Sequence, residues 1–196
     1  MENLPKSVQI VLRRLEEDGQ EAWCVGGCVR DSLLGRTPED WDVTTSALPE
    51  QIMELFGVQA RPTGLQHGTV SVTLEGETVE VTTFRVDGTY HDHRRPDQVT
   101  FTRSLEEDLC RRDFTINAMA LNLRGELRDP FCGQSDLAAG VLRCVGEPER
   151  RFEEDALRIL RGMRFASVLG LRVEEATAMG IHRCAPLLAQ IAPERI

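Results

Sequence analysis

Over residues 8–17 the apolar positions Val8, Val11, Leu12 and Leu15 recur at three- and four-residue intervals, which predicts an amphipathic helix ended by Gly19. Residues 22–25 form a short apolar run that reads as a strand feeding Gly26. A second helix is expected over residues 49–56. It begins with a proline, whose missing N–H would be unpaired there anyway, and Leu48, Ile52 and Leu55 or Phe56 face inward. Alternating segments over residues 68–74 and 78–84, divided by Glu75-Gly76-Glu77, predict a β-hairpin. Ser104 followed three residues later by Glu107 is a capping box that opens a helix through Cys110. Residues 121–123 and 126–128 read as a strand pair around Gly125. From Pro148 the alternation stops. Phe152, Ala156, Leu160 and Met163 recur at helical spacing and predict one helix with a common inner face. Further helices are expected over residues 174–184 and 186–191. The fold class is therefore α/β (α+β), with a mixed sheet and flanking helices over residues 1–145 and an all-helical segment over 146–196.

Composition narrows the class. The chain has 196 residues, enough for one sizeable core or two small ones, and no apolar run approaches the roughly 20 residues that span a bilayer. Residues 1–6 lack the charged and apolar regions of a secretory signal, so a cytoplasmic protein with no membrane association is expected. The six cysteines (Cys24, Cys28, Cys110, Cys132, Cys144, Cys184) include no Cys-x-x-Cys pair, which favours reduced thiols over zinc ligands or a disulfide framework. A net charge of −9 argues against a strong grip on a long nucleic acid by this chain alone. Arginines gathered around a cleft, with carboxylates elsewhere, would still permit nucleotide binding.

The chemistry-bearing residues begin at Gly26-Gly27-Cys28-Val29-Arg30-Asp31, followed by Asp40-Trp41-Asp42. A Gly-Gly turn lets backbone N–H groups approach a ligand, a following helix N-terminus favours phosphate, and Arg30 can meet phosphate bidentately. Asp40 and Asp42 are two apart, so on a strand both carboxylates leave one face and can converge on magnesium, a hard cation usually completed by substrate phosphates. Together these features suggest attack at a nucleotide α-phosphate. Residues 87–98 are polar and aperiodic and read as a loop, and His91, Asp92 and His93 have no second cluster to complete a metal site. Arg111-Arg112-Asp113 precedes an apolar, small-residue run and suits a cavity wall. Asp155 only accepts hydrogen bonds and Arg158 only donates them, and one helical turn apart they can face one ligand.

The glycine turn with Asp40 and Asp42 resembles motif A of the polymerase-β-like nucleotidyltransferases, in the branch of bacterial CCA-adding enzymes and poly(A) polymerases. Arg111-Arg112-Asp113 resembles that family's Arg-Arg-Asp motif. Glu154-Asp155-x-x-Arg158-x-x-Arg161-x-x-Arg164-Phe165 resembles the base-selecting motif of class II CCA-adding enzymes. The resemblance implies a nucleotidyltransferase head followed by a helical neck, truncated at its C-terminal end, that adds CMP and AMP to tRNA 3′ ends from CTP and ATP. Asp40 and Asp42 would be catalytic and hold Mg2+. Gly27, Arg30 and Arg112 would bind the triphosphate, with Asp113 and Asn117 near the sugar. Asp155 and Arg158 would accept the amino-plus-bare-nitrogen edge of cytosine and adenine, leaving guanine and uracil with mismatched groups at roughly 1–3 kcal/mol each. Arg161 and Arg164 rotate about 60° per step around a helix; Arg161 is expected near the phosphates or the Asp155 pair. Glu80 admits two readings, a third carboxylate at the metal or a solvent-facing edge residue. The loop over residues 87–98 resembles the family loop thought to reorganise the site between nucleotides. Poly(A) polymerases and A-only adding enzymes share all these motifs. A small-molecule nucleotidyltransferase would not need Asp155 and Arg158, and a non-catalytic nucleotide-binding module would not need Asp40 and Asp42.

Overall fold

The computed structural model describes residues 4–88 and 99–191. Helix α1 (Lys6–Glu17) leads through β1 (Ala22–Val25) and the short α2 (Gly27–Leu33) to β2 (Asp42–Thr45). Helix α3 (Pro49–Phe56) precedes β3 (Ala60–Gly64) and the hairpin of β4 (Thr69–Leu74) and β5 (Glu77–Thr83). Strand β6 (Arg85–Asp87) pairs antiparallel with β7 (Val99–Phe101). Helix α4 (Leu105–Cys110), β8 (Ala120–Leu121), β9 (Leu127–Arg128), α5 (Gly133–Ala138) and β10 (Val141–Leu142) follow. Then come α6 (Pro148–Glu154), α7 (Leu157–Leu169), β11 (Arg172–Val173), α8 (Glu175–Cys184) and a 3-10 run, Ala185–Gln190.

Seven strands form one mixed sheet in the order β3-β4-β5-β2-β1-β8-β9, in which β2 and β5 run parallel. The apolar stripe of α1 (Val8, Val11, Leu12, Leu15) is buried against one sheet face, where Val43, Val70, Val72, Val79 and Val81 stand side by side with Ile52 and Phe56 of α3. Each fully buried side chain of this size contributes about 1.5–3 kcal/mol, so this layer is the main source of stability. On the other face Trp23, Val25 and Ala120 pack beneath Leu109 of α4. The β4–β5 turn has positive φ at Glu75 (53°) and Gly76 (87°), the geometry of a two-residue type I′ hairpin. Ser104 caps α4 by accepting a hydrogen bond from the Glu107 N–H. Among the described residues no helix is long and apolar enough to cross a membrane.

Three expectations need correction. Strand β2 begins at Asp42, so Asp40 precedes the strand that was expected to carry both carboxylates. On the β1 side the ladder stops at Val25, the partner of Asp42, where the positive-φ turn at Gly26 leads the chain away; β5 runs on to Glu77, but β2 pairs with it only from Asp42. The single helix expected through residues 152–163 is two helices, broken at Asp155 and Ala156, which resets the helical phase. Ile159 and Gly162 face inward in α7, and Met163 is 58% exposed. The segment from residue 146 is not wholly helical either. After the left-handed Gly170 the chain extends as β11 and pairs in parallel with β10. Residues 89–98 of the expected loop, with His91, Asp92 and His93, and residues 192–196 lie outside the described residues.

Candidate active site

Strand β1 ends in a tight turn whose geometry only glycine tolerates. Gly26 has φ 78° and ψ −132°, and a Cβ on it would stand 3.3 Å from Nη1 of Arg112 and 4.0 Å from Oδ2 of Asp42. Gly27, the residue expected to matter, has ordinary backbone geometry, and a Cβ there would meet Arg30 Nη2 at 3.6 Å, a normal contact. Arg30 leaves the last turn of α2 and is buried. Its Nε and Nη2 donate to the two oxygens of Asp31, each at 2.9 Å, and Nη1 donates to Asn117 Oδ1 at 2.7 Å. Three of its five N–H bonds are thus engaged.

Asp42 pairs in register with Val25 on one side and Glu80 of β5 on the other. Its side chain keeps an open edge to solvent, yet the surrounding protein strips enough water to raise its pKa; Arg112 pulls it down and Asp40 pushes it up. Glu80 is raised too, by desolvation and by the charges of Asp42 and Asp40. The three carboxylates therefore share one field at the same end of the sheet. Among the described residues no three His, Cys, Asp or Glu side chains cluster tightly enough to enclose an ion.

Behind Asp42, Asp108 of α4 is fully buried. Its Oδ1 accepts from Nε and Nη2 of Arg111 at 2.9 and 2.8 Å, its Oδ2 from Arg112 Nη2 at 3.4 Å, and it also takes bonds from Thr44 and the Arg85 N–H. Burial pushes this carboxyl up, but the Arg111 and Arg112 charges outweigh that and hold it below its ordinary value. Arg112 is thereby tethered at one nitrogen while its buried Nε–H has no partner. An unpartnered buried donor is costly and suits an anion arriving from the cleft. Next along the chain, Asp113 accepts from the Phe114 N–H at 2.8 Å, from Asn117 Nδ2 at 3.3 Å and from Arg161 Nε at 2.7 Å.

The break between α6 and α7 sets the third wall. Asp155 ends α6 as its C-cap, and its Oδ1 accepts from the Leu157 N–H at 3.0 Å, a local turn just before α7, so the aspartate does not lie within a helix. Arg158 is buried in the first turn of α7. It donates to the carbonyls of Arg151 (3.0 Å) and Arg111 (3.1 Å) and to Glu154 Oε2 (2.7 Å). Asp155 and Arg158 therefore do not share one uninterrupted helical face, contrary to expectation, although both line the same cleft. Arg161 sits on Asp113, while Arg164 is exposed at the cleft rim.

These walls enclose a cleft of about 560 Å³, in the size range of ligand sites. Gly27, Arg30, Asp42, Arg112, Asp155 and Arg158 meet there, joined by Arg161 and Arg164. Asp40 lies outside it, in an adjoining groove of about 750 Å³ that it shares with Asp42 and Glu80. Asp42 is the residue common to both. Three contributors were not singled out from sequence. The strained turn at Gly26 carried a signal in the Gly-Gly pair, but not which glycine mattered. Asp108 lay hidden as an ordinary acid in a capped helix. Phe165 stood only as the last residue of the motif from Glu154, with no role of its own.

A family model described as the poly A polymerase head domain matches residues 22–143. The CCA-adding enzyme of Leuconostoc mesenteroides is 53% identical over 188 residues, covering 96% of this chain and 47% of that enzyme. A crystal structure of the Bacillus stearothermophilus CCA-adding enzyme in complex with CTP superposes with TM-score 0.89 at 46% identity, covering 97% of this chain and 46% of that one. A tRNA nucleotidyltransferase complexed with a primer tRNA and an incoming ATP analog gives TM-score 0.75 at 33% identity, over 94% and 53% of the two chains. The chain thus spans about half the length of the relatives it matches. With the match running from β1 to β10 and the sheet and glycine turn in the arrangement described, the chain belongs to the family of poly A polymerase head domains.

Proposed function

We propose that this chain is the catalytic and nucleotide-selecting part of an enzyme that adds CMP and AMP to tRNA 3′ ends, using CTP and ATP and releasing pyrophosphate. The observation that carries the reading is the single cleft shared by Asp42, Asp155 and Arg158, which lets one nucleotide reach an acid at its phosphates and a donor–acceptor pair at its base. The likeness to CCA-adding enzymes, one of them in complex with CTP, supports the same reading. We divide the chain into a nucleotidyltransferase head over residues 1–145 and a base-selecting neck over residues 146–196.

Asp40 and Asp42 would hold Mg2+. Their crowded negative field suits a hard cation, and two carboxylates without a third tight protein ligand leave coordination positions for substrate phosphates. When bound, such ions would ease attack by the primer 3′-hydroxyl and stabilise the departing pyrophosphate. Arg112 offers its orphaned Nε–H to a phosphate oxygen, Arg30 its two remaining N–H bonds, and the Gly26-Gly27 turn its backbone approach. Arg158, anchored by two carbonyls and Glu154, is preorganised as a donor, and Asp155 as an acceptor held against the α7 terminus. A base offering a donor to Asp155 and an acceptor to Arg158 fits. Guanine and uracil present the reverse and lose roughly 1–3 kcal/mol per unmatched group.

Titration of this chain with each nucleoside triphosphate in magnesium tests the reading. CTP and ATP should bind at least about tenfold more tightly than GTP and UTP, and Asp155→Ala should narrow that gap more than it weakens CTP binding. Equal affinity for all four would defeat it. Incorporation into a tRNA lacking its 3′ end separates the rivals: AMP alone would mark a poly(A) polymerase or A-only enzyme, and tight CTP binding without incorporation a non-catalytic module.

A further inference from the structure

Resting on the nucleotide reading of the cleft, we infer that Phe165 is a positioning residue that holds the guanidinium groups of Arg30 and Arg161 where a triphosphate is gripped. The argument starts from a closed circuit of contacts. Arg30 Nη1 donates to Asn117 Oδ1 (2.7 Å), Asn117 Nδ2 donates to Asp113 Oδ1 (3.3 Å), and Arg161 Nε donates to Asp113 Oδ2 (2.7 Å). The circuit closes through Phe165: the guanidinium carbon of Arg30 lies 5.2 Å from its ring centroid, and that of Arg161 5.3 Å. Phe114, fully buried, meets the same ring edge-on, with centroids 6.0 Å apart and planes at 86°, and so fixes its orientation. The circuit ties α2, the segment after α4 and α7 around one wall of the cleft.

Hydrogen bonds hold Arg30 at three nitrogens but Arg161 at one. Arg161 is half exposed and engages Asp113 through Nε only, so its fork could swing about that bond. Arg30 and Arg161 carry like charges and would part without an intervening surface. An aromatic face attracts each guanidinium by about 0.5–1 kcal/mol at an exposed site and about 2 when desolvated, which decides where the remaining N–H groups point. Phe165 acts through the two arginines stacked on its ring.

The test compares CTP with CMP, which shares base and sugar but lacks the β- and γ-phosphates, by calorimetry on the 196-residue chain, with thermal melting alongside. Phe165→Leu should weaken CTP about tenfold and CMP less than about twofold, with the CTP-over-UTP preference unchanged. Phe165→Tyr, which keeps the ring, should restore CTP affinity to within about twofold. Arg161→Lys, which keeps the charge but loses the planar stack, should show the same CTP-specific loss, and it carries the test if the leucine variant does not fold. Wild-type CTP affinity in the variant that folds, equal losses for CTP and CMP, or a shift in base preference would each overturn the inference. A wild-type chain that binds no nucleotide would instead defeat the reading of the cleft itself.

Discussion

A methyl group on Gly26 would press on Arg112 Nη1 at 3.3 Å in a backbone region that side-chain-bearing residues rarely adopt, while one on its neighbour Gly27 would meet ordinary contact. The two glycines therefore differ in what they permit. Gly26 lets β1 turn sharply enough for Asp42 and Arg112 to approach one another beside it. Gly26→Ala should lower stability by about 1–3 kcal/mol and weaken CTP binding, whereas Gly27→Ala should change stability by less than about 0.5 kcal/mol. Chemical denaturation of both variants checks this, and equal losses would show that the strain is not at Gly26. The same scale explains why Asp42 is poised for a cation. Desolvation and Asp40 oppose its charge, and Arg112 compensates only in part.

Among the elements, α7 shows most clearly how local chemistry overrides periodicity. Residues 152–163 satisfy a helical repeat, yet Asp155 ends α6 in extended geometry and bonds to the Leu157 N–H two residues on, because a short acid competes for nearby backbone N–H groups and favours such a turn over a helix interior. The reset turns Gly162 toward Phe114, and a Cβ there would lie 2.8 Å from its Cζ. Gly162→Ala should therefore cost about 1–2 kcal/mol, since overpacking a fully buried ring outweighs the helix propensity gained. A more stable alanine variant would contradict this packing. Helix α1 was legible because four apolar residues in a long stripe admit one face, and the β4–β5 hairpin because alternation and turn chemistry agree. Strands β6, β10 and β11 were not, as two or three residues carry no period. Glu80 stayed open between edge and site because alternation shows only that it leaves the sheet face shared with Thr78 and Thr82. The parallel register of β5 with β2 is what brings it beside Asp42.

Across the whole molecule the net charge of −9 is segregated. Arginines from α2, the segment after α4 and α7 line one cleft, while Asp40, Glu77 and Glu80 line the adjoining groove, with Asp42 at the junction. That polarity suits a substrate whose anionic end must lie against arginine while its reacting phosphorus sits over carboxylates. The site is assembled from elements far apart in sequence: the β1–β2 end, the segment after α4 and the α6–α7 break converge only through the sheet order. The measurement that tests this most directly is a crystal structure of the chain with CTP and manganese, whose anomalous signal marks the ion. The account predicts a manganese peak beside Asp40 and Asp42, triphosphate against Arg112 and Arg30, and the cytosine amino edge within hydrogen-bond reach of Asp155. A single CTP bound with its base in any other cavity, or with no metal peak at the two aspartates, would contradict it.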